Sequence, residues 1–245
     1  MISPVAARLL SVGILLAGAF LARRLALLFS RQQATQRAFL LFVLFLGASA
    51  LAIAAADPRW GPAALGIQAN PLWAAGCFLS VVITVGVVYP LSQVLFMSHA
   101  KWTRPTGPLP EIRWFAAALF VGVVEEYYFR GVWGALCREP FGSLLGAVMA
   151  NGVYVAVLLP WIRTTRLRTL GALYGFGLAL SWSYEVTHSL AVPAGIHTAA
   201  YYINNRLPRS QAGPSQNRLP RWIGEGLGPV ALYWAAASIC VRWIP

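Results

Sequence analysis

The sequence predicts an all-α protein, a polytopic membrane helix bundle of roughly eight spans around a buried polar site. Three observations carry that expectation. The chain of 245 residues is 58% hydrophobic and only 11% charged, against about a quarter charged in an average soluble protein. Apolar stretches of about 18 residues or more recur along its whole length, the length a helix needs to cross about 30 Å of hydrocarbon. One of those stretches nevertheless contains two adjacent glutamates and an arginine.

The candidate spans run over residues 4–22, 38–56, 72–97, 112–137, 140–160, 168–187, 192–205 and 226–244. The first could be read as a secretory signal, but Arg23 and Arg24 follow it directly in place of a small-residue cleavage site, so it is expected to be a retained span. Breakers separate the others: Asp57-Pro58, Asn70-Pro71, the Pro105–Pro110 segment, Glu139-Pro140 and the polar stretch Arg206–Gly226. The seventh span is too short for an ordinary crossing. It is either a helix buried among neighbours or a longer one with a polar end, and short helices inside bundles often line cavities. GxxxG spacings at Gly142/Gly146 and Gly171/Gly175 predict close helix packing. No internal repeat and no soluble domain is visible, and residues 1–245 read as a single membrane domain.

The net charge of +12 is no argument for nucleic acid, because the 19 Lys and Arg residues are dispersed in short connections rather than gathered on one face. They encode orientation instead. Alternate connections hold Arg23, Arg24, Arg31 and Arg37; Lys101, Arg104 and Arg113; Arg163, Arg166 and Arg168; and Arg206, Arg209, Arg218 and Arg221, fourteen in all. The opposite connections hold only Arg8, Arg59, Arg138 and Arg242, and Arg130 lies inside a span. The positive-inside rule makes the richer side cytoplasmic and turns both termini outward. The abundance of Arg and Ala together with this topology points to a bacterial inner membrane. Cys77, Cys137 and Cys240 are far apart and form no zinc knuckle, redox motif or disulfide framework.

Inside the fourth span stands Val121-Gly122-Val123-Val124-Glu125-Glu126-Tyr127-Tyr128-Phe129-Arg130-Gly131. Each charge near a bilayer centre costs about 2.5–3.5 kcal/mol on insertion scales, so three of them need an interior role. Glu126 and Arg130 are four apart on one helical face and can pair. Glu125, about 100° round the helix, is left without a partner in its own span. A carboxylate so placed is a candidate general base for water; the bland reading is a helix-locking network without chemistry. Glu185 and His188 close the sixth span, His197 lies one turn into the seventh, and Asn204 shares the face of His197. Several spans thus deliver ionisable groups at compatible depth.

Glu125-Glu126-x-x-x-Arg130-Gly131, followed after two further apolar helices by Ser189-Leu190-x-x-Pro193-x-x-Ile196-His197, resembles the CAAX protease and bacteriocin-processing family of glutamic-type intramembrane endopeptidases. The likeness covers about residues 110–206. It implies Glu125 as the base that activates water, Glu126 and Arg130 as its supporting pair, and His197 as electrophilic or oxyanion partner. It implies no cofactor and, with only His99, His188 and His197 in the chain and no HExxH, no metal. The partners implied are the lipid bilayer and a membrane-anchored or tail-bearing protein substrate. Two features depart from the family pattern. The motif FxxxH of the next helix is matched best at Tyr154-Val155-Ala156-Val157-Leu158, which lacks the histidine, and Tyr201 stands where Asn or Asp is usual four residues after His197. His188 or Asn204 are the residues available to substitute, with Tyr154 in support. The expected activity is cleavage of a hydrophobic or C-terminal protein tail, with an outward-facing site suiting surface-protein sorting of the kind ascribed to myxosortases. The competing expectations are a non-catalytic relative acting in bacteriocin self-immunity or beside another protease and, more remotely, a transporter.

Overall fold

The computed structural model describes residues 17–18, 31–56, 59, 61–68, 70–96, 108–159, 167–206 and 227–244. The first candidate span, apart from Ala17 and Gly18, lies outside the described residues. So do His99 and the loop cations Arg23, Arg24, Lys101, Arg104, Arg163, Arg166, Arg209, Arg218 and Arg221.

The described chain is all-helical: α1 (Arg31–Ala56), α2 (Pro71–Phe96), α3 (Pro108–Glu126), a π-helical segment (Tyr127–Trp133), α4 (Gly134–Leu158), α5 (Leu167–Thr187), α6 (Ala191–Arg206) and α7 (Gly228–Trp243). Local chemistry sets several of these boundaries. At the start of α2 the Asn70 side chain accepts a hydrogen bond from the Trp73 N–H at 2.7 Å, with Pro71 in the first helical turn, the usual capping arrangement. Ser189 does the same for α6, accepting from the Ala191 N–H at 3.2 Å. Inside α4 the helix breaks at Gly142, with φ 74 and ψ 174, two residues after Pro140. A Cβ on Gly146 would come within 2.8 Å of the Arg138 backbone, so the chain packs back on itself at this break. Gly142 is therefore the turn of its GxxxG pair and Gly146 the packing residue. Of the other pair, Gly175 lies against Val230 of α7, whereas Gly171 has nothing within 4 Å.

Among the described residues, two stretches are long and apolar enough to cross a membrane, Pro71–Leu91 and Glu111–Leu158, the second interrupted by the Gly142 break; Leu41–Ile53 is apolar but shorter. The distribution of polarity is inverted relative to a water-soluble protein. Leu72, Leu144 and Leu167 are more than 80% exposed, while Glu125, Glu126, Arg130, Asn151, Ser183 and Thr198 are at most 2% exposed. Such an arrangement is stable where the surroundings are apolar and the interior satisfies its polar groups.

The short seventh span is the centre of the bundle. All residues from Leu190 to Ala200 are buried, and α6 at 16 residues is about 24 Å long. It packs against α2, α3, α5 and α7. Close approach depends on small residues: a Cβ on Gly195 would lie 2.3 Å from the Cys77 carbonyl oxygen of α2, and one on Gly122 would lie 2.5 Å from Thr198 Oγ1 and 2.9 Å from the Ala194 carbonyl oxygen. The Gly122 contact brings α3 onto α6 one turn before Glu126 and beside His197, which fixes the separation of the two helices that bear the ionisable groups.

Candidate active site

Glu125 and Glu126 end α3, at the point where the helix widens into the fully buried π segment that carries Arg130. Single π turns inside α-helices occur frequently at functional sites. Arg130 Nη1 donates to Glu126 Oε1 at 3.1 Å, and His197 Nδ1 lies 2.6 Å from the same oxygen. His197 Nε2 lies 3.6 Å from Glu125 Oε2, too long for a direct hydrogen bond. The four residues thus form one buried cluster, in which Glu126 binds the arginine and orients the imidazole while the other ring nitrogen faces Glu125.

Two carboxylate oxygens in this cluster, Glu125 Oε1 and Glu126 Oε2, are buried and have no hydrogen-bond partner within the protein. Leaving a buried acceptor unsatisfied costs about 1–3 kcal/mol, and a water molecule is the smallest group that supplies the missing donor. The cluster is accordingly built to receive a small hydrogen-bond donor beside Glu125 and His197 Nε2.

The remaining walls come from α4, α5 and α6. The Arg130 guanidinium lies 4.6 Å from the centre of the Tyr154 ring; Tyr154 and Phe176 present edges to His197 at 6.4 and 5.5 Å between ring centres. Tyr201, in the place of the usual Asn or Asp, stacks on Phe39 of α1 at 6.0 Å. Leu158, where the missing histidine would stand, belongs to an apolar cluster with Phe42, Tyr128 and Leu190.

Asn151, not singled out in the sequence, has a larger part than the match at Tyr154–Leu158. Its Oδ1 accepts from Arg130 Nη2 at 3.2 Å, and its Nδ2 donates to Ser181 Oγ and to the Ala147 carbonyl oxygen, both at 2.8 Å. Arg130 Nη2 also donates to the Gly177 carbonyl oxygen at 3.3 Å. A lone asparagine in an apolar span is itself a signal, since it needs an interior partner. A Cβ on Gly177 would fall 2.2 Å from Asn151 Oδ1 and 3.0 Å from Arg130 Nη2. Gly177→Ala is therefore expected to displace the guanidinium, with a loss of about 1–3 kcal/mol in detergent unfolding and a parallel loss of activity.

Two of the supporting residues expected from the sequence are not in this cluster. Glu185 pairs with Arg138, Nη1 to Oε1 at 2.6 Å, with its side chain 28% exposed. It lies eight residues beyond Gly177 on α5, about 12 Å along the axis from the carbonyl that Arg130 contacts. His188 lies past the end of α5 in the connection to α6, exposed, with φ 49. Asn204 is on the backbone of α6, and its side chain lies outside the described residues. Among the described residues, no group of three or more His, Cys, Asp or Glu side chains is arranged to hold a metal ion.

No curated protein and no solved structure matches the chain at a significant level. The family models do give a match, to type II CAAX prenyl endopeptidase, Rce1-like, over residues 108–203. The matched residues begin with α3, include Glu125, Glu126, Arg130, Asn151 and His197, and end three residues before the end of α6. Over this part, less than half of its length, the chain is similar to the Rce1-like type II CAAX prenyl endopeptidase family.

Proposed function

We propose that the protein is a glutamic-type intramembrane endopeptidase that hydrolyses a peptide bond near the hydrophobic tail of a membrane-anchored protein. The observation that carries this reading is a buried Glu125 whose Oε1 has no hydrogen-bond partner within the protein and whose Oε2 lies 3.6 Å from His197 Nε2, inside a Rce1-like domain. Glu125 takes a proton from water, and the resulting hydroxide attacks the scissile carbonyl carbon. His197, as an imidazolium balanced by Glu126, donates from Nε2 to the developing oxyanion. The intermediate then collapses: the C–N bond breaks, the proton held by Glu125 passes to the leaving amine, and the new C–O bond remains as a carboxyl terminus. Arg130 and Asn151 hold Glu126, and so His197, in place.

The finer reading is a bacterial inner-membrane protein of about eight spans, with the site opening outward and the substrate a secreted protein still held by a C-terminal hydrophobic helix. The fourteen-to-four distribution of cations supports that orientation. It also supports a role in surface-protein sorting over the processing of prenylated cytoplasmic tails.

The test uses the purified protein in liposomes with a synthetic tail peptide. Cleavage is expected and should survive EDTA, because Glu126 Oε1 is already engaged by Arg130 and His197. Absence of cleavage of any hydrophobic tail would overturn the reading. Orientation is read separately in spheroplasts. The native Cys77, Cys137 and Cys240 are buried and are replaced, and a cysteine is introduced by His188→Cys at the exposed connection. Labelling by an impermeant maleimide before permeabilisation is expected; labelling only afterwards would make the substrate cytoplasmic.

A further inference from the structure

The π segment that carries Arg130 ends beside an ion pair that the cleavage chemistry does not use. At its end the Gly134 N–H turns to the Gly131 carbonyl oxygen, three residues back, instead of to Arg130 four residues back as an α-helix requires. The Arg130 carbonyl oxygen instead accepts from Arg138 Nη2 at 3.3 Å. The same guanidinium donates through Nη1 to Glu185 at 2.6 Å and lies 5.1 Å from the centre of the Tyr184 ring. It reaches back over Gly134, where a Cβ would come within 3.2 Å of Arg138 Nη1. Tyr184 Oη in turn donates to the Leu65 carbonyl oxygen at 3.4 Å, and Leu65 packs on Gly131 inside the π segment. One arginine side chain therefore spans from the backbone of Arg130 to α5, with one donor for each end.

We infer that Arg138 is a positioning residue for the reaction: by donating to the Arg130 carbonyl oxygen it holds the π turn in the register that places the Arg130 guanidinium on Glu126, with Glu185 and Tyr184 fixing the guanidinium in the plane that reaches that carbonyl. This rests on the endopeptidase reading given above. The fork geometry matters, because a lysine ammonium is a point charge and does not reproduce two directed donors held in one plane. It also separates Arg138 from an ordinary interfacial ion pair, for which only the charge would count.

The experiment compares Arg138→Met, Arg138→Lys, Glu185→Gln and the exchange of the pair, Arg138→Glu with Glu185→Arg. Each is read by steady-state cleavage of the tail peptide in liposomes and by hydrogen exchange over residues 127–138. Arg138→Met and Arg138→Lys are expected to lower kcat about tenfold with KM little changed, and to speed exchange in the π segment. Glu185→Gln keeps a hydrogen-bond acceptor for Nη1 and is expected to stay within about threefold of the parent. The exchanged pair restores the charges but not the donor to Arg130 and is expected to remain as slow as Arg138→Met. Recovery of kcat in the exchanged pair would reduce the role to charge and overturn the inference. So would a parent-like kcat in Arg138→Lys, or unchanged exchange in both single variants. If Arg138→Met fails to fold, Arg138→Lys carries the test. If the parent protein cleaves nothing, the endopeptidase reading fails by itself, and the exchange of residues 127–138 still decides whether Arg138 holds the π turn.

Discussion

Glu125→Gln is expected to abolish measurable cleavage, a loss of about 100- to 10,000-fold for removal of a general base, while leaving the fold intact. Glutamine has the shape of glutamate and keeps one carbonyl oxygen, but its neutral amide cannot accept the proton of water. Glu125 Oε1 has no hydrogen-bond partner in the protein and Oε2 lies 3.6 Å from His197 Nε2, so its replacement breaks no direct hydrogen bond. Unfolding in detergent should therefore be unchanged within error. A variant that cleaves at the parental rate would move the proton acceptor to another group, His197 being the next in line. A variant that fails to fold would mean that Glu125 is a structural residue.

The second large effect is on stability. Arg130 is 2% exposed and contacts Glu126, Asn151 and Gly177 through two guanidinium nitrogens. Arg130→Met leaves the buried Glu126 carboxylate with His197 as its one remaining partner and removes the donor to Asn151 Oδ1 and to the Gly177 carbonyl oxygen. Breaking a buried pair from one side costs about 3–5 kcal/mol, and a lowered detergent unfolding midpoint with complete loss of activity is expected. Adding Glu126→Gln removes the buried carboxylate that has lost its arginine, so the double variant should recover part of the stability and none of the activity. A single variant as stable as the parent would show that the Arg130 network contributes little to the fold.

The parts of the site that the sequence discloses are those set by helical periodicity. Glu126 and Arg130 stand four apart, and their ion pair follows from that spacing across the first turn of the π segment. His197 is legible because a charge-bearing short helix must be buried, and α6 is buried throughout its first ten residues. What periodicity cannot disclose is the partnership of residues on different helices. Arg138 counts in the sequence as an orientation charge and Glu185 as a candidate for the site, yet each finds the other across a separation of 47 residues. Asn151 is conspicuous as a polar residue in an apolar stretch, but its bonds to Arg130 of the π segment and to Ser181 of α5 depend on the packing of α4 that the Gly142 break permits. The π turn is hidden for a different reason: it is a change of backbone register, and Tyr127–Trp133 carries no residue that demands it.

The central claim is that the buried Glu125–His197 gap activates water for hydrolysis. It is tested most directly by the mass of the products when the purified protein cleaves a tail peptide in water enriched in heavy oxygen. The newly formed carboxyl terminus is expected to carry one heavy oxygen atom from solvent, and Glu125→Gln is expected to yield no such product. Failure to form any cleavage product, or a new carboxyl terminus joined to an added amine in place of solvent oxygen, would contradict it.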